Sequence, residues 1–273
     1  MTEADAIRRA QGPATVATLA ADLAALGVRP GMVLLVHSSL SALGWVNGGA
    51  QGVILALEAA LGPDGTLVMP THSTGLTDPA GWRRPPVPEE WWATIRATMP
   101  AYDPDRTPTR GMGTIPETFR KGPGVIRSPH PHSSFAAAGP HAARLCADHP
   151  LPFSLGDDSP LARLYALDGW VLLLGVGHGN NTSLHLAEYR AFATTGARTT
   201  VGAPLLVEGE RRWVEFPELD WDADDFPALG EDFARDTGLV RVGQIAAATA
   251  LLMPQRPLID YAVPWLRAHR HGG

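Results

Sequence analysis

The segment WVLLLGVGHGNNTSLHLAEYR carries the residues whose types and spacing point most directly to chemistry. His185 and Glu188 are three positions apart in a predicted helix, so their side chains share one face near its N-terminus. An imidazole accepts a proton near neutral pH, and a neighbouring carboxylate can fix its tautomer and stabilise the imidazolium. The pair therefore predicts a general base, although an exposed ion pair on a solvated helix explains the same spacing equally well.

The other histidines support a competing hypothesis of a metal site. The chain has 10 histidines, and His130 and His132 in SPHPHSS could bind a metal together with Asp157 or Asp158. No spacing matches a zinc signature such as H-E-x-x-H, so we expect no metal. The proline-stiffened segment instead predicts an extended stretch whose polar groups line a ligand groove.

Two turns could bind a ligand through small side chains and backbone amides. VHSSLSALG places His37, Ser38 and Ser39 just after a buried strand, where hydroxyls and free amides can bind phosphate or amide groups. RGMGTIPE has two glycines after Arg110, which suit a close approach of the backbone to a ligand. Ordinary capping and turn formation explain both motifs as well, and no Walker A sequence or complete Rossmann fingerprint is present.

Residues 215–236 form a strongly acidic segment, with nine acidic residues and one basic residue. A run of this kind is most often a solvated loop and helix face. The alternative is a platform for a polyamine, in which Trp221 stacks on a sugar face among carboxylates. Asp103, Asp157 and Asp158 lie in other loops and could add to the same field.

Composition limits the partners. The chain has 273 residues and a formal charge of −6, which does not suit nucleic acid or an anionic membrane. No apolar run approaches the ~20 residues of a membrane helix, and the polar start lacks a secretory signal. The single cysteine, Cys146, predicts a buried structural thiol and excludes an intrachain disulfide. We therefore expect a cytoplasmic protein with a cationic small-molecule partner.

The elements that position these residues alternate in type along the first part of the chain. Hydrophobic periodicity predicts helices at 15–26 and 51–61 and buried strands at 32–40 and 66–73. This alternation of helices and strands is typical of an α/β sheet. The strand at 170–176 then leads into the His185 loop, and sites in such sheets form beyond the carboxyl ends of strands.

The later part of the chain predicts a strand at 211–216, a segment of helical character at 242–252 and a closing helix at 258–269. No linker divides the sequence, so we expect one domain over residues 1–273. Within it, residues 1–13 are expected to be flexible. Residues 74–109, rich in Pro, Trp and Gly, are too long for a simple connection and predict a lid-like loop.

Taken together, five segments resemble one family in order and spacing: VHSSLSALG, GPDGTLVMPTHS, RGMGTIPETFRKGPGVIRSPHPHSSFAAAGP, SPLARLYALDGWVLLLGVGHGNNTSLHLAEYRA and RPLIDYAVPWL. They are similar to the aminoglycoside 3-N-acetyltransferases over about residues 14–266. The resemblance implies a single-domain, three-layer α/β/α sandwich with a mixed sheet, distinct from the histone-type N-acetyltransferase fold. It also implies acetyl-CoA as co-substrate and acetyl transfer to the 3-amino group of a 2-deoxystreptamine ring.

The same resemblance assigns roles to residues. His185 and Glu188 match the family's catalytic histidine and its neighbouring acid. The residues expected to hold the cofactor are His37, Ser38, Ser39, Leu40, Thr71, Arg110, Gly111, Met112, Gly113, Thr114, Ser128, His130 and Phe135. The carboxylates expected to bind the antibiotic are Asp103, Asp157, Asp158, Asp220 and Asp222.

Three alternatives stay open at this point. The chain could be an acyl-CoA-dependent N-acyltransferase acting on another amine in secondary metabolism. It could be a histidine-rich metal-dependent hydrolase, or a CoA-binding module without turnover. The sequence does not tell which aminoglycosides are accepted, and it leaves the oligomeric state open, a homodimer included.

Overall fold

The computed structural model describes residues 3–10 and 12–270. The strands are β1 (Val33–Ser38), β2 (Thr66–Pro70), β3 (Ile126–Arg127), β4 (Phe135–Ala138), β5 (Trp170–Leu174), β6 (Arg198–Val207), β7 (Glu210–Leu219), β8 (Arg241–Ile245) and β9 (Ala248–Pro254). The helices are α1 (Glu3–Arg9), α2 (Val16–Leu26), α3 (Gly49–Leu61), α4 (Trp92–Thr98), α5 (Thr114–Phe119), α6 (Ala142–Cys146), α7 (Pro160–Ala166), α8 (Ser183–Phe192), α9 (Phe226–Thr237) and α10 (Gln255–His269).

The central sheet has seven strands in the order β3-β4-β2-β1-β5-β9-β8. Strand β1 pairs in parallel with both β2 and β5, whereas β4 and β9 join antiparallel on the outer sides. The sheet is therefore mixed. Its parallel centre brings the carboxyl ends of β1, β2 and β5 to one edge, where α/β proteins form their sites.

Helices cover both faces of this sheet, because successive residues of a strand point to opposite sides. In β1, Leu35 packs into a core shared with α6 to α10, while Leu34 packs into a second core shared with α2, α3 and α5. Both leucines are fully buried. The expected three-layer α/β/α sandwich with a mixed sheet is confirmed.

Strands β6 and β7 form a separate two-stranded ribbon of ten residues each. The turn between them, Glu208–Gly209, has positive φ at both residues, as a tight hairpin requires. The ribbon holds the end of the 74–109 segment: the Tyr102 amide donates to the Pro204 carbonyl, and Arg211 donates to the Met99 carbonyl. The lid-like role of that segment stays a prediction.

The prediction of helical character at 242–252 is wrong. These residues form the β8–β9 hairpin, in which Arg241 pairs with Leu252 and Ile245 with Ala248. Alanine-rich sequence favours a helix locally, but β9 also pairs with β5 along its length, and tertiary pairing overrides the propensity.

Part of the segment 1–13, expected to be flexible, lies outside the described residues, and within it Glu3–Arg9 is helical. None of the described helices is both long and apolar enough to cross a membrane.

Candidate active site

His185 and Glu188 lie in the first turns of α8, beyond the carboxyl end of β5. The His185 Nδ1 atom is 2.8 Å from the Glu188 Oε2 atom, and the two side chains are 8% and 2% exposed. The alternative of an exposed ion pair is therefore wrong. Because a carboxylate only accepts, Nδ1 carries the proton of this bond, and the Nε2 lone pair is left to accept another.

The second oxygen of Glu188 is held from the far side of the chain. Its Oε1 atom accepts a hydrogen bond from the Asp222 amide at 2.8 Å and another from the Arg270 guanidinium. Arg270 also donates to the Asp225 carboxylate and to the Asp222 carbonyl. Sequence reasoning missed Arg270, because it lies near the C-terminus, outside every motif.

Aromatic rings form the walls beside the base. The Trp221 and Phe226 rings lie 4.6 Å and 4.9 Å from the His185 ring, measured between centroids. Phe226 is fully buried, whereas Trp221 is 45% exposed. The site is therefore apolar and buried on the side of Phe226 and open on the side of Trp221, where a ligand has room to stack.

Two further histidines approach His185 from the sheet. His37 is the penultimate residue of β1, and His72 follows β2. Burial, together with the nearby charge of His185, lowers the pKa of each to about 3. Both are therefore neutral in ordinary buffers. Their Nε2 atoms are buried, and neither has a hydrogen-bond partner among the described residues. His37 was expected at the site; His72 was not, although its place after a strand was a signal.

A cavity of about 640 Å³ lies beyond the carboxyl end of β1. It brings together two segments that are distant in sequence and that we expected to hold the cofactor. The residues of those segments that line it are Ser38, Ser39, Leu40, Gly111, Met112, Gly113 and Thr114. Trp45 and Val46 complete an apolar wall. Arg110 is anchored next to this cavity, since its amide donates to the His72 carbonyl.

Four other residues expected at the cofactor are fully buried: Thr71, Ser128, His130 and Phe135. Ser128 bridges His149 Nδ1 and the Phe135 amide, both at 2.9 Å. Thr71 Oγ1 lies 3.2 Å from Ser134 Oγ. These residues build the wall behind the site. A direct contact with the cofactor would need them to become exposed, so it stays a prediction.

Both ring nitrogens of His130 are occupied. Its Nδ1 accepts from the amides of His132 and Ser133, and its Nε2 donates to the Leu151 carbonyl. No nitrogen of His130 is left for the metal site considered with His132. Within residues 3–10 and 12–270, no group of three or more His, Cys, Asp or Glu side chains is arranged to hold a metal ion.

A second cavity, of about 580 Å³, lies on the other side of Glu188. The charged residues that line it are Glu188, Asp220, Asp222, Asp224, Asp225 and Arg270. Two of the carboxylates expected to bind the antibiotic, those of Asp220 and Asp222, thus face the same space as the acid behind His185. This acidic cavity carries a clear excess of negative charge.

The other three carboxylates expected to bind the antibiotic do not line this cavity. Asp103 caps its own turn, accepting from the amides of Asp105 and Arg106. Asp157 forms an ion pair with Arg190, and Asp158 is exposed in the same loop. Their contact with a ligand stays a prediction that no geometry here supports.

Cys146 is buried beneath β4, and its thiol donates to the Ile126 carbonyl. Burial raises the pKa of the thiol to about 12. It is therefore a protonated structural group at neutral pH rather than a nucleophile.

Sequence comparison identifies close relatives over nearly the whole chain. A family model described as aminoglycoside 3-N-acetyltransferase matches residues 35–267. The SPbeta prophage-derived aminoglycoside N(3')-acetyltransferase-like protein YokD of Bacillus subtilis is 46% identical over 254 residues, which cover 93% of this chain and 92% of YokD. Aminoglycoside N(3)-acetyltransferase IX of Micromonospora chalcea is 38% identical, with 98% of this chain and 99% of the relative covered.

Solved structures agree with the sequence comparison. The crystal structure of YokD superposes with a TM-score of 0.94 at 43% identity, covering 98% of this chain and 99% of YokD. AAC-IIIb in a binary complex with CoASH superposes with a TM-score of 0.83 at 32% identity, covering 96% and 99%. AAC-VIa bound to sisomicin superposes with a TM-score of 0.81 at 34% identity, covering 95% and 99%.

Proposed function

The chain belongs to the aminoglycoside 3-N-acetyltransferase family, and on that premise we propose that it transfers an acetyl group from acetyl-CoA to the 3-amino group of the 2-deoxystreptamine ring. The cavity beyond β1 supports the donor half of this proposal. It joins the Ser38–Leu40 turn to the Gly111–Thr114 turn, and the related AAC-IIIb was solved with CoASH. Backbone amides in such turns suit the phosphates of CoA.

The buried pair of His185 and Glu188 is the observation that carries the chemistry. An aminoglycoside amine is protonated at neutral pH and must lose a proton before it attacks the thioester carbonyl. His185 Nε2 accepts that proton while Glu188 stabilises the imidazolium through Nδ1. The amine nitrogen then bonds to the carbonyl carbon and the C–S bond breaks. The nitrogen passes its second proton to the departing CoA thiolate, which leaves a neutral amide and a free thiol, and His185 releases the first proton to solvent. A base so placed contributes typically ~10² to 10⁴ in rate.

The carbonyl oxygen gains negative charge during the attack and needs a donor. The Ser38 hydroxyl is buried, and no described residue is its hydrogen-bond partner. The Ser39 amide, by contrast, already donates to the Leu174 carbonyl. Ser38 is therefore the better candidate of the two for stabilising the oxyanion.

The acidic cavity beside Glu188 supports the acceptor half. Its carboxylates, Asp220 and Asp222 among them, suit the several ammonium groups of an aminoglycoside, and the related AAC-VIa was solved with sisomicin. Closure of the 74–109 segment would exclude water and favour transfer over hydrolysis. The acetylated product carries one positive charge fewer and should bind its RNA target more weakly, which would confer resistance.

The decisive test is the His185→Ala variant in a thiol-release assay with a panel of aminoglycosides. We expect kcat to fall by at least roughly tenfold, while acetyl-CoA binding stays intact. His141→Ala, which removes a half-buried histidine away from the site, is the control and should keep its kcat. A His185→Ala enzyme with wild-type kcat would remove His185 from the mechanism. Turnover with other amines but with no aminoglycoside would instead favour an N-acyltransferase that acts on an amine of secondary metabolism.

A further inference from the structure

Arg270 is the one side chain in the described part of the site that joins three separate elements around Glu188. It follows α10 and contacts Glu188 on α8, the Asp222 carbonyl in the acidic loop (residues 220–224, between β7 and α9), and Asp225 at the N-cap of α9. Its side chain is 21% exposed. We propose that Arg270 is a positioning residue that couples the acidic loop receiving the acceptor to the acid behind the base.

This proposal rests on the proposed function, in which His185 is the base. The proposal depends on Asp222, whose backbone amide and carbonyl both form hydrogen bonds within this network. The Asp222 amide donates to Glu188 Oε1 at 2.8 Å, and its carbonyl accepts from Arg270 Nη2 at 2.6 Å. Arg270 and Glu188 are themselves paired, so a shift of the loop cannot occur without disturbing Glu188.

The guanidinium is the side chain suited to this task. Its planar fork offers five N–H donors in fixed directions, and here Nε, Nη1 and Nη2 all find acceptors. A lysine carries the same charge on a single nitrogen and cannot serve three elements in this geometry. The effect of the positive charge at position 270 can therefore be separated from that of the guanidinium geometry by substitution with lysine.

Charge balance is the second effect of Arg270. Glu188 and Asp225 are both within ion-pair distance of this one cation. Without it, the buried Glu188 carboxylate is left uncompensated, which is costly. The unbalanced negative charge would also stabilise the imidazolium of His185 relative to the neutral imidazole.

His185 has other ionisable neighbours that must be considered in any titration. They include Glu188 on its own helix, His37 near the end of β1, His72 after β2, and the Arg270–Asp225 pair reached through Glu188. His37 and His72 have pKa values of about 3, so they stay neutral above pH 5. A change in the His185 titration between pH 5 and 8 on removing Arg270 therefore reports on the hydrogen-bonded series Arg270–Glu188–His185.

The experiment compares Arg270→Met, Arg270→Lys and the matched control Arg267→Met. Arg267 lies in the last turn of α10, three residues before Arg270, and also bridges to α8, through the Arg190 and Ala191 carbonyls, without touching Glu188. Two readouts are taken for each variant: the NMR titration of the His185 imidazole, assigned by its loss in His185→Ala, and the aminoglycoside KM and kcat from thiol release.

In Arg270→Met we expect the His185 pKa to rise by about half a pH unit or more, as removal of a nearby cation requires. The KM for the aminoglycoside should rise about tenfold, because the acidic loop loses at least one charge-assisted hydrogen bond. Arg270→Lys should keep the wild-type titration but retain the raised KM, since it keeps the charge and loses the fork. Arg267→Met should match the wild type in both.

A folded Arg270→Met enzyme with the titration and KM of Arg267→Met would overturn the proposal. If Arg270→Met does not fold, Arg270→Lys decides: a raised acceptor KM supports the coupling, and a wild-type KM overturns it. Failure of the proposed function is seen separately, as wild-type kcat in His185→Ala. The imidazole titration still judges Arg270 in that case, because it needs no turnover.

Discussion

Glu188 fixes the His185 imidazole while three donors hold Glu188 itself. A carboxylate taken out of water costs several kcal/mol unless paired, and here His185, the Asp222 amide and Arg270 all donate to it. Charged hydrogen bonds of this kind are short and strong. The tautomer of His185 is therefore set by a buried network rather than by one contact.

Replacement of Glu188 by Gln tests that network at a single atom. A glutamine has one acceptor oxygen, so it cannot serve His185 on one side and both Asp222 and Arg270 on the other. Its NH₂ group must face a donor whichever way it turns. We expect kcat to fall about tenfold or more, within the range of a lost general base, with little change in the KM for acetyl-CoA.

Steady-state kinetics by thiol release measure this effect. Glu231→Gln is the control, because it removes the same charge from an exposed position on α9. It should leave kcat within about twofold, as surface changes usually do. If Glu188→Gln turned over like Glu231→Gln, the carboxylate would have no part in orienting the base.

Among the elements, those with a clear period were predictable and those that depend on distant partners were not. The helix expected at 15–26 is α2, with Thr15 as its N-cap and Gly27 at its C-terminus in the left-handed region. The pair in α8 was predictable for the same reason, since three positions fix a shared helix face. In contrast, β9 owes its form to β5, which is distant in sequence.

The residues of the site also fall into those that could be predicted from the sequence and those that could not. The ends of β1 and β5 could be expected to carry it, because parallel strands deliver their loops to one edge. Arg270 is 82 residues from Glu188, and only the packing of α10 against α8 brings it there. Ser128 and His130 belong to the right segments, but their side chains turn inward to satisfy buried polar groups.

One close contact of helix α9 depends on a glycine. A Cβ atom at Gly230 would lie 2.1 Å from the ring of His178, which is buried in the loop leading to α8. The N-terminus of α9 carries Phe226, one wall of the site. Displacing α9 should therefore disturb the His185 imidazole as well as the hydrophobic core.

Gly230→Ala tests this dependence. Overpacking of a buried contact typically costs about 1–3 kcal/mol, so we expect a lower Tm together with reduced kcat. Differential scanning fluorimetry and thiol release provide the two measurements. Gly179→Ala is the matched control, because the nearest atom to its Cβ, in Pro227, is 3.8 Å away. Equal Tm values for the two variants would show that α9 tolerates the extra methyl group.

At the scale of the whole molecule, several histidines among the described residues are buried enough to stay neutral in mildly acidic solution. Burial lowers the pKa of His37 and His72 to about 3, and that of His132 and His149 to about 4. Their ordinary value is 6.5. Once the chain unfolds, all four regain that value and bind protons in mildly acidic solution.

This difference fixes the sign of the pH dependence. Between about pH 6.5 and pH 4 the unfolded chain binds more protons than the folded protein, so stability falls as the pH falls. The stabilisation from these four groups is complete above pH 6.5. Each histidine contributes a slope of up to about 1.4 kcal/mol per pH unit in that window. Carboxylates titrate mostly below it, with ordinary values of 3.8 and 4.5.

We therefore expect the free energy of unfolding, measured in urea, to be level between pH 8 and pH 7 and to fall steeply between pH 6.5 and pH 5. His132→Asn isolates one contribution, since the His132 Nε2 atom is buried and has no partner among the described residues. Whatever its effect on stability at pH 7.5, this variant should show a shallower slope, by up to about 1.4 kcal/mol per pH unit. A wild-type protein equally stable at pH 7.5 and pH 5 would mean that these histidines bind protons in the folded state, and the neutral interior inferred around His185 would then be wrong.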